Sequence, residues 1–112
     1  MPLDVKGKTV PSDDEGYLID PADWDAAIGE ELAREERIVL TPAHWAVIDF
    51  MRAYYADHQI VPDARHVIKH LAEHLGSRST GRNDLFRLFP YGYVKQACRI
   101  AGMRRPRAWS TG

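Results

Sequence analysis

Thr41-Pro42 is the strongest structural signal in this chain. A threonine oxygen can accept from the free amides that open a helix. Proline suits the first helical position, where its missing N–H is not needed. The residues behind this pair, Trp45, Val47, Ile48, Phe50, Met51, Tyr54 and Tyr55, are apolar enough to make the helix central to a core. Asp49 and Arg52 interrupt the set and mark its wet side, and the helix is expected to end near His58. Asp20-Pro21 repeats the cap-and-proline signal, followed by Trp24, Ala27, Ile28 and Leu32 at helical spacing, fading near Arg37. Val61-Pro62-Asp63 breaks the pattern and caps a third helix, with Val67, Ile68, Leu71 and Leu75 on one face and Gly76 as its stop.

The remaining segments are shorter. Val5–Val10 and Tyr17–Ile19, separated by the turn formers of Pro11–Gly16, read as a small β-hairpin that must pack on something larger. Gly76 to Asn83 is Ser/Gly/Arg-rich and reads as a mobile loop. Asp84 to Phe89 reads as a short helix stopped by Pro90, Val94 to Ala101 as a last helix stopped by Gly102, and Met103 to Gly112 as an extended arm. The expectation is one mainly α domain over residues 1–112: hairpin (1–19), small helical bundle (20–102) and C-terminal arm (103–112). A chain of 112 residues leaves little volume for a deep enclosed active site, which favours carrying, binding or regulating over stand-alone catalysis.

Charge is unevenly spread. Residues 1–37 hold eleven acids and four bases, a balance of −7, and residues 82–112 hold seven bases against Asp84, a balance of +6. A basic end can dock on an acidic protein or on nucleic acid. A single cysteine forms no internal disulfide, and Met1–Val10 has no apolar run of the signal-peptide kind. No stretch approaches a membrane span, so the expected compartment is the cytoplasm and no membrane partner is expected.

Four groups of residues invite a chemical reading. His66, His70 and His74 share one stripe of the third helix, but no further ligand accompanies them and no metal or other cofactor is expected. The paired acids Glu30/Glu31 and Glu35/Glu36 read as a solvated face, and no phosphate-binding glycine motif occurs. The second and third helices form a helix-turn-helix-like pair, with Arg65, His66 and Lys69 as possible DNA contacts, although two bases are few for binding phosphates. Cys98 remains. Lys95 and Arg99 lie beside it in sequence, and nearby cations favour the thiolate, the form that attacks sulfur electrophiles. The alternative is a buried, inert thiol.

The segment Leu88-Phe89-Pro90-Tyr91-Gly92-Tyr93-Val94-Lys95-Gln96-Ala97-Cys98-Arg99-Ile100-Ala101-Gly102-Met103 resembles the C-terminal signature of the DsrC/TusE sulfur-relay family, roughly FPxGPxKQxCKIAGLPKP. Asp14-Glu15-Gly16-Tyr17-Leu18 resembles that family's hairpin, and Trp24 and Leu40-Thr41-Pro42-Ala43-His44-Trp45 resemble its helices. The resemblance implies a helical bundle with an N-terminal hairpin, a helix-turn-helix-like pair and a flexible C-terminal arm. It also implies that sulfur is accepted as a persulfide and passed toward tRNA thiolation or dissimilatory sulfur metabolism. The implied partners are other sulfur-relay proteins or a sulfite-reductase-like complex. Cys98 is then the candidate persulfide site, Lys95 and Arg99 support its thiolate, and Arg104, Arg105, Arg107 and Trp109 dock the partner. The chain departs from the family at Trp109, where the pattern places a second, arm cysteine eleven residues after the first. The alternative function is a non-carrying regulatory relative that binds DNA or a protein partner.

Overall fold

The computed structural model describes residues 3–104 except Lys6. Strands β1 (Leu3–Val5) and β2 (Lys8–Val10) pair antiparallel, with Leu3 opposite Val10, and Gly7 reverses the chain at φ 80°. Both strands of the hairpin therefore lie within the first ten residues, a correction to the expected pairing of Val5–Val10 with Tyr17–Ile19. The later segment contributes only a bridge between Ser12 and Leu18. The reason is local. The Asp13 carboxylate accepts from the amides of Glu15 (2.8 Å) and Tyr17 (3.0 Å), winding 13–17 into a turn instead of a strand. Val10, Tyr17 and Leu18 are all buried, which is how so small a sheet is held.

The expected first helix is two pieces. Asp20 caps a single 3-10 turn, Pro21–Asp23, by accepting from Ala22 N at 3.0 Å. The chain then extends through Trp24, and Asp25 caps α1 (Ala26–Glu35) by accepting from Ile28 N at 2.9 Å. Two aspartates at cap spacing make two starts and free Trp24 to leave the helical stripe. Helix α1 buries Ile28, Gly29, Leu32 and Ala33.

Helix α2 (Pro42–His58) begins and ends where the sequence placed it. Thr41 Oγ1 accepts from His44 N, and His44 Nδ1 accepts in turn from Thr41 N at 3.1 Å, closing a reciprocal cap. Helix α3 (Ala64–Leu75) is capped by Asp63, which accepts from the amides of Arg65 and His66. Along the α2–α3 seam His70 stacks on Phe50 at 4.5 Å and His66 on Tyr54 at 5.8 Å. Two of the three histidines of the stripe thus rest on aromatic rings of α2, while His74 is exposed, and among the described residues no three metal-binding side chains converge.

The Gly76–Asn83 segment, expected to be a mobile loop, is organised around a carboxylate. A 3-10 turn (Gly76–Arg78) leads to Ser79 and Thr80, whose hydroxyls donate to Asp84 at 2.8 and 2.6 Å. The amide of Thr80 donates to both Asp84 oxygens at 3.0 Å, and Arg87 pairs with Asp84 from the other side. Asp84 opens α4 (Asn83–Leu88). Beyond Pro90, Tyr93–Cys98 winds as a π-helix, tightens to α at Arg99 and Ile100, and closes on Gly102. The core joins these parts through Ile28, Leu32, Ile48, Met51, Leu71, Phe89, Ile100 and Met103, all fully buried. Each large side chain of this kind contributes roughly 1.5–3 kcal/mol by leaving water.

Candidate functional site: a sealed thiol

The terminal helix carries two chemistries on two sides. Gly92, at φ 107°, admits the chain to the π-helix, and Gln96, fully buried, fixes the entry: Tyr91 N donates to Gln96 Oε1 at 2.9 Å. Gln96 Nε2 donates to Glu36 at 3.0 Å, and Arg99 pairs with the same Glu36, with Glu35 at 2.6 Å, and with the Gly16 carbonyl at 3.4 Å. One side of the helix is thereby bolted to the end of α1. The other side presents Tyr93, Ala97, Cys98 and Ile100 to the core.

Cys98 is 0% exposed. Burial pushes its thiol up to about 12, and the Tyr93 hydroxyl offsets only part of that by hydrogen bonding to it. The Tyr93 hydroxyl also donates to the Pro62 carbonyl. Burial dominates at the sulfur. The resting sulfur is therefore a protonated thiol. The support expected from Lys95 and Arg99 is not realised. Arg99 is engaged by two glutamates, and Lys95 is exposed in an open polar cleft with Glu15, Tyr17, Glu36 and Tyr91. Adjacency in sequence put these cations near the thiol; helical winding turned them to the other side.

The end of this helix is held with unusual completeness. Its last four carbonyls all find donors. Met103 N donates to Cys98 O (3.0 Å) and Gly102 N to Arg99 O (3.1 Å), the paired bonds of a Schellman turn with Gly102 at φ 79°. Trp24 Nε1 donates to Ile100 O at 2.8 Å, and Arg52 Nη1 to Ala101 O at 2.7 Å, while Arg52 Nη2 reaches Pro21 O at 2.9 Å. The Arg52 guanidinium also lies 4.3 Å over the Trp24 ring. Arg52, expected on the wet side of α2, is half-buried and ties the start of the chain to its end. Sequence reasoning also missed Tyr93; its only signal was a phenol five residues before the thiol.

The docking residues divide at the edge of the described chain. Arg104 is exposed, whereas Arg105, Arg107 and Trp109 lie outside the described residues. For the DNA alternative, Arg65 is exposed but paired with Asp63 at 3.4 Å, the His66 ring rests on Tyr54, and only Lys69 stands exposed without such a commitment in that set. No helix among the described residues is long and apolar enough to cross a membrane.

The family described as DsrC like protein matches residues 4–108, a span that takes in all but the first residue of the hairpin, every helix described above and Cys98. The chain belongs to the DsrC family. A curated relative, Sulfurtransferase TusE of Buchnera aphidicola subsp. Schizaphis graminum, is 43% identical over 97 residues, covering 87% of this chain and 85% of its own. Sulfurtransferase TusE of Sodalis glossinidius is 40% identical over 104 residues, covering 93% and 96%. Among solved structures, the oxidized gamma-subunit of the dissimilatory sulfite reductase (DsrC) from Archaeoglobus fulgidus superposes with a TM-score of 0.87 at 35% identity, over 96% of this chain and 98% of that one. DsrC of Allochromatium vinosum gives 0.83 at 38% over the same shares. The relatives are thus named for sulfur transfer and for dissimilatory sulfite reductase. Against the DsrC-family signature, Tyr93 stands where the pattern has its second proline, and that departure buries a phenol in the same helix as the thiol.

Proposed function

We propose that this chain takes part in sulfur relay as a sulfur-trafficking partner whose one thiol, Cys98, is loaded only after the fold opens around it. The observation that carries the reading is the complete burial of a protonated Cys98 inside a family of sulfurtransferases and sulfite-reductase subunits. The loading step is a sulfane-sulfur exchange without net redox change. The Cys98 thiolate attacks the outer sulfur of a donor persulfide, the donor S–S bond breaks as the new one forms, and the donor leaves as a thiolate. Transfer onward is the same step with Cys98 as donor. No second arm thiol is present to resolve the persulfide as a disulfide. Arg104, Arg105, Arg107 and Trp109 act as the docking end, with three cations to meet an acidic surface and an indole to fill a pocket on the partner. The partners are other sulfur-relay proteins or a sulfite-reductase-like complex, in line with relatives of the TusE and DsrC kinds.

The test is intact mass after exposure of the folded protein to a small-molecule persulfide, alone and with a sulfur-relay partner. The expected result is a slow gain of one sulfur atom on Cys98, faster with the partner and absent in Cys98→Ser. No gain under either condition, while a DsrC-type protein with its arm cysteine loads normally, would overturn carriage. The same burial favours a second reading, a regulatory relative that binds its partner without carrying sulfur. That reading requires Cys98→Ser to retain partner binding. DNA contact through Arg65, His66 and Lys69 is not supported.

A further inference from the structure

Two clefts meet at the start of α3, one of about 840 Å³ and one of about 220 Å³. They share Ala64, Arg65 and Arg82 and so form one groove, from the connection between α2 and α3 to Phe86 on α4. Among the described residues five large apolar side chains are exposed, and two of them line this groove. Ile60, 60% exposed, lies in the larger cleft and Phe86, 50% exposed, in the smaller. Val61 and Ile68 continue the apolar lining. Apolar surface gathered in this way and rimmed by charge is the mark of an interaction site, which a single exposed side chain is not. The charge where the clefts meet is positive, because Arg65 and Arg82 both stand exposed there. Among the described residues the groove has one acid, Asp63. Its carboxylate is turned to the helix it caps, accepting from the amides of Arg65 and His66, and it also pairs with Arg65 at 3.4 Å.

We propose that this groove docks an acidic amphipathic segment of a partner protein, with apolar side chains seated on Ile60 and Phe86 and carboxylates on Arg65 and Arg82. Charge complementarity selects this occupant. The chain's own tail beyond Arg104 carries Arg105 and Arg107 and no acid, so the same rim repels it. A nucleic-acid strand would find only two arginines here, too few where phosphate contacts dominate affinity, and would leave the aliphatic lining unused. A groove walled by helices suits a helical segment that presents apolar side chains at i, i+4 and i+7 and acids beside them. Each arginine can then take a carboxylate through two parallel hydrogen bonds, which fixes the segment's register as well as holding it. This surface is separate from the tail and uses neither Cys98 nor its chemistry, so the inference goes beyond the sulfur-relay reading and does not depend on it.

The experiment is a selection of displayed random peptides, about four helical turns long, on the folded full chain. Fluorescent copies of the selected peptides are then titrated with wild type, Phe86→Ala, the double variant Arg65→Glu/Arg82→Glu and the tail variant Arg105→Glu/Arg107→Glu. Phe86 and both groove arginines are exposed, so these variants should keep the wild-type thermal unfolding midpoint, which is measured beside binding. The expected peptides carry acids next to apolar residues at helical spacing. Their binding should weaken by about tenfold in Phe86→Ala and by at least about tenfold in Arg65→Glu/Arg82→Glu, and stay unchanged in the tail variant. A selected peptide with its acids replaced by lysine should bind Arg65→Glu/Arg82→Glu and not wild type. Selection of no peptide, or of peptides without acids, would overturn the proposal. So would affinities untouched by both groove variants, or a loss confined to the tail variant. Sedimentation of the chain alone tests for a second copy, and a labelled single-stranded oligonucleotide tests for nucleic acid. Self-association or oligonucleotide binding that Arg65→Glu/Arg82→Glu abolishes would give the groove to that occupant instead. No sulfur transfer is read here, so a chain that fails to load with persulfide yet holds these peptides in the groove sinks the relay reading alone.

Discussion

A methyl group added at Gly102 would lie 2.3 Å from Trp24 Cδ1, on a residue held at φ +79°. Neither the left-handed backbone nor the contact can be relieved locally, because Trp24 is also hemmed in by Gly29, where an added Cβ would sit 2.7 Å from the ring. Gly102→Ala is expected to cost roughly 2 kcal/mol or more in a denaturant titration, the left-handed strain alone being about 1–2 kcal/mol. Trp24→Phe keeps a ring in place but leaves Ile100 O without its donor, a loss of about 1–3 kcal/mol. A change within error in either titration would mean that the terminal turn is held by something else. From the sequence, Trp24 reads as one member of an apolar stripe and Arg52 as solvent-facing. Their partners are 76 and 49 residues away, and no local pattern encodes such a meeting. Cys98 was legible as a thiol with cations beside it; its burial was not, because exposure is decided by elements that close over it.

Among the elements, the helix starts are the most local features and were the most legible. Asp20, Thr41 and Asp63 all cap, since a cap needs only its own side chain and the next few amides. Thr41→Ala should lower stability by about 1 kcal/mol, with the loss confined to the start of α2 in hydrogen exchange. The Asp84 loop shows the opposite case. Its composition of glycine, serine and arginine reads as mobile, while its order comes from one carboxylate that collects Thr80, Ser79 and Arg87. The Thr80 hydroxyl most of all, with the other donors, holds the Asp84 carboxyl down at about 2. A carboxyl depressed in the folded state stabilises above its unfolded value of 3.8 and loses that contribution as pH falls toward 2. Asp84→Asn should therefore be destabilised at pH 7 and show a flatter stability curve below pH 4. Unchanged protection of the Ser79 and Thr80 amides in that variant would deny the carboxylate its organising role.

At the scale of the whole molecule, stability is bounded on both sides of neutrality by different buried groups. His44 donates through Nε2 to Leu88 O and accepts at Nδ1 from Thr41, an arrangement that requires the neutral ring, and burial lowers its pKa from 6.5. Its contribution is complete above 6.5 and declines as pH falls below it. Cys98 works in the other direction: raised from 9.0 to about 12, it leaves stability intact below 9 and erodes it as pH rises, because the unfolded thiol ionises first. Denaturant titrations from pH 5 to 10 should give a plateau near neutrality, with the acid shoulder removed in His44→Gln and the shoulder between pH 9 and 10 reduced in Cys98→Ala. Shoulders that persist in both variants would assign them to other groups. The chain's charge asymmetry also finds a use here, because the basic tail half meets the acidic first helix through Arg99 on Glu35 and Glu36. The double grip of Trp24 and Arg52 on the Ile100 and Ala101 carbonyls has a consequence for how the protein is made. Synthesis runs from the amino end, so both donors have left the ribosome before the carbonyls they receive exist. The receptor for this helix is laid down first, and the molecule can seal its sulfur only once residues 98–103 have followed it.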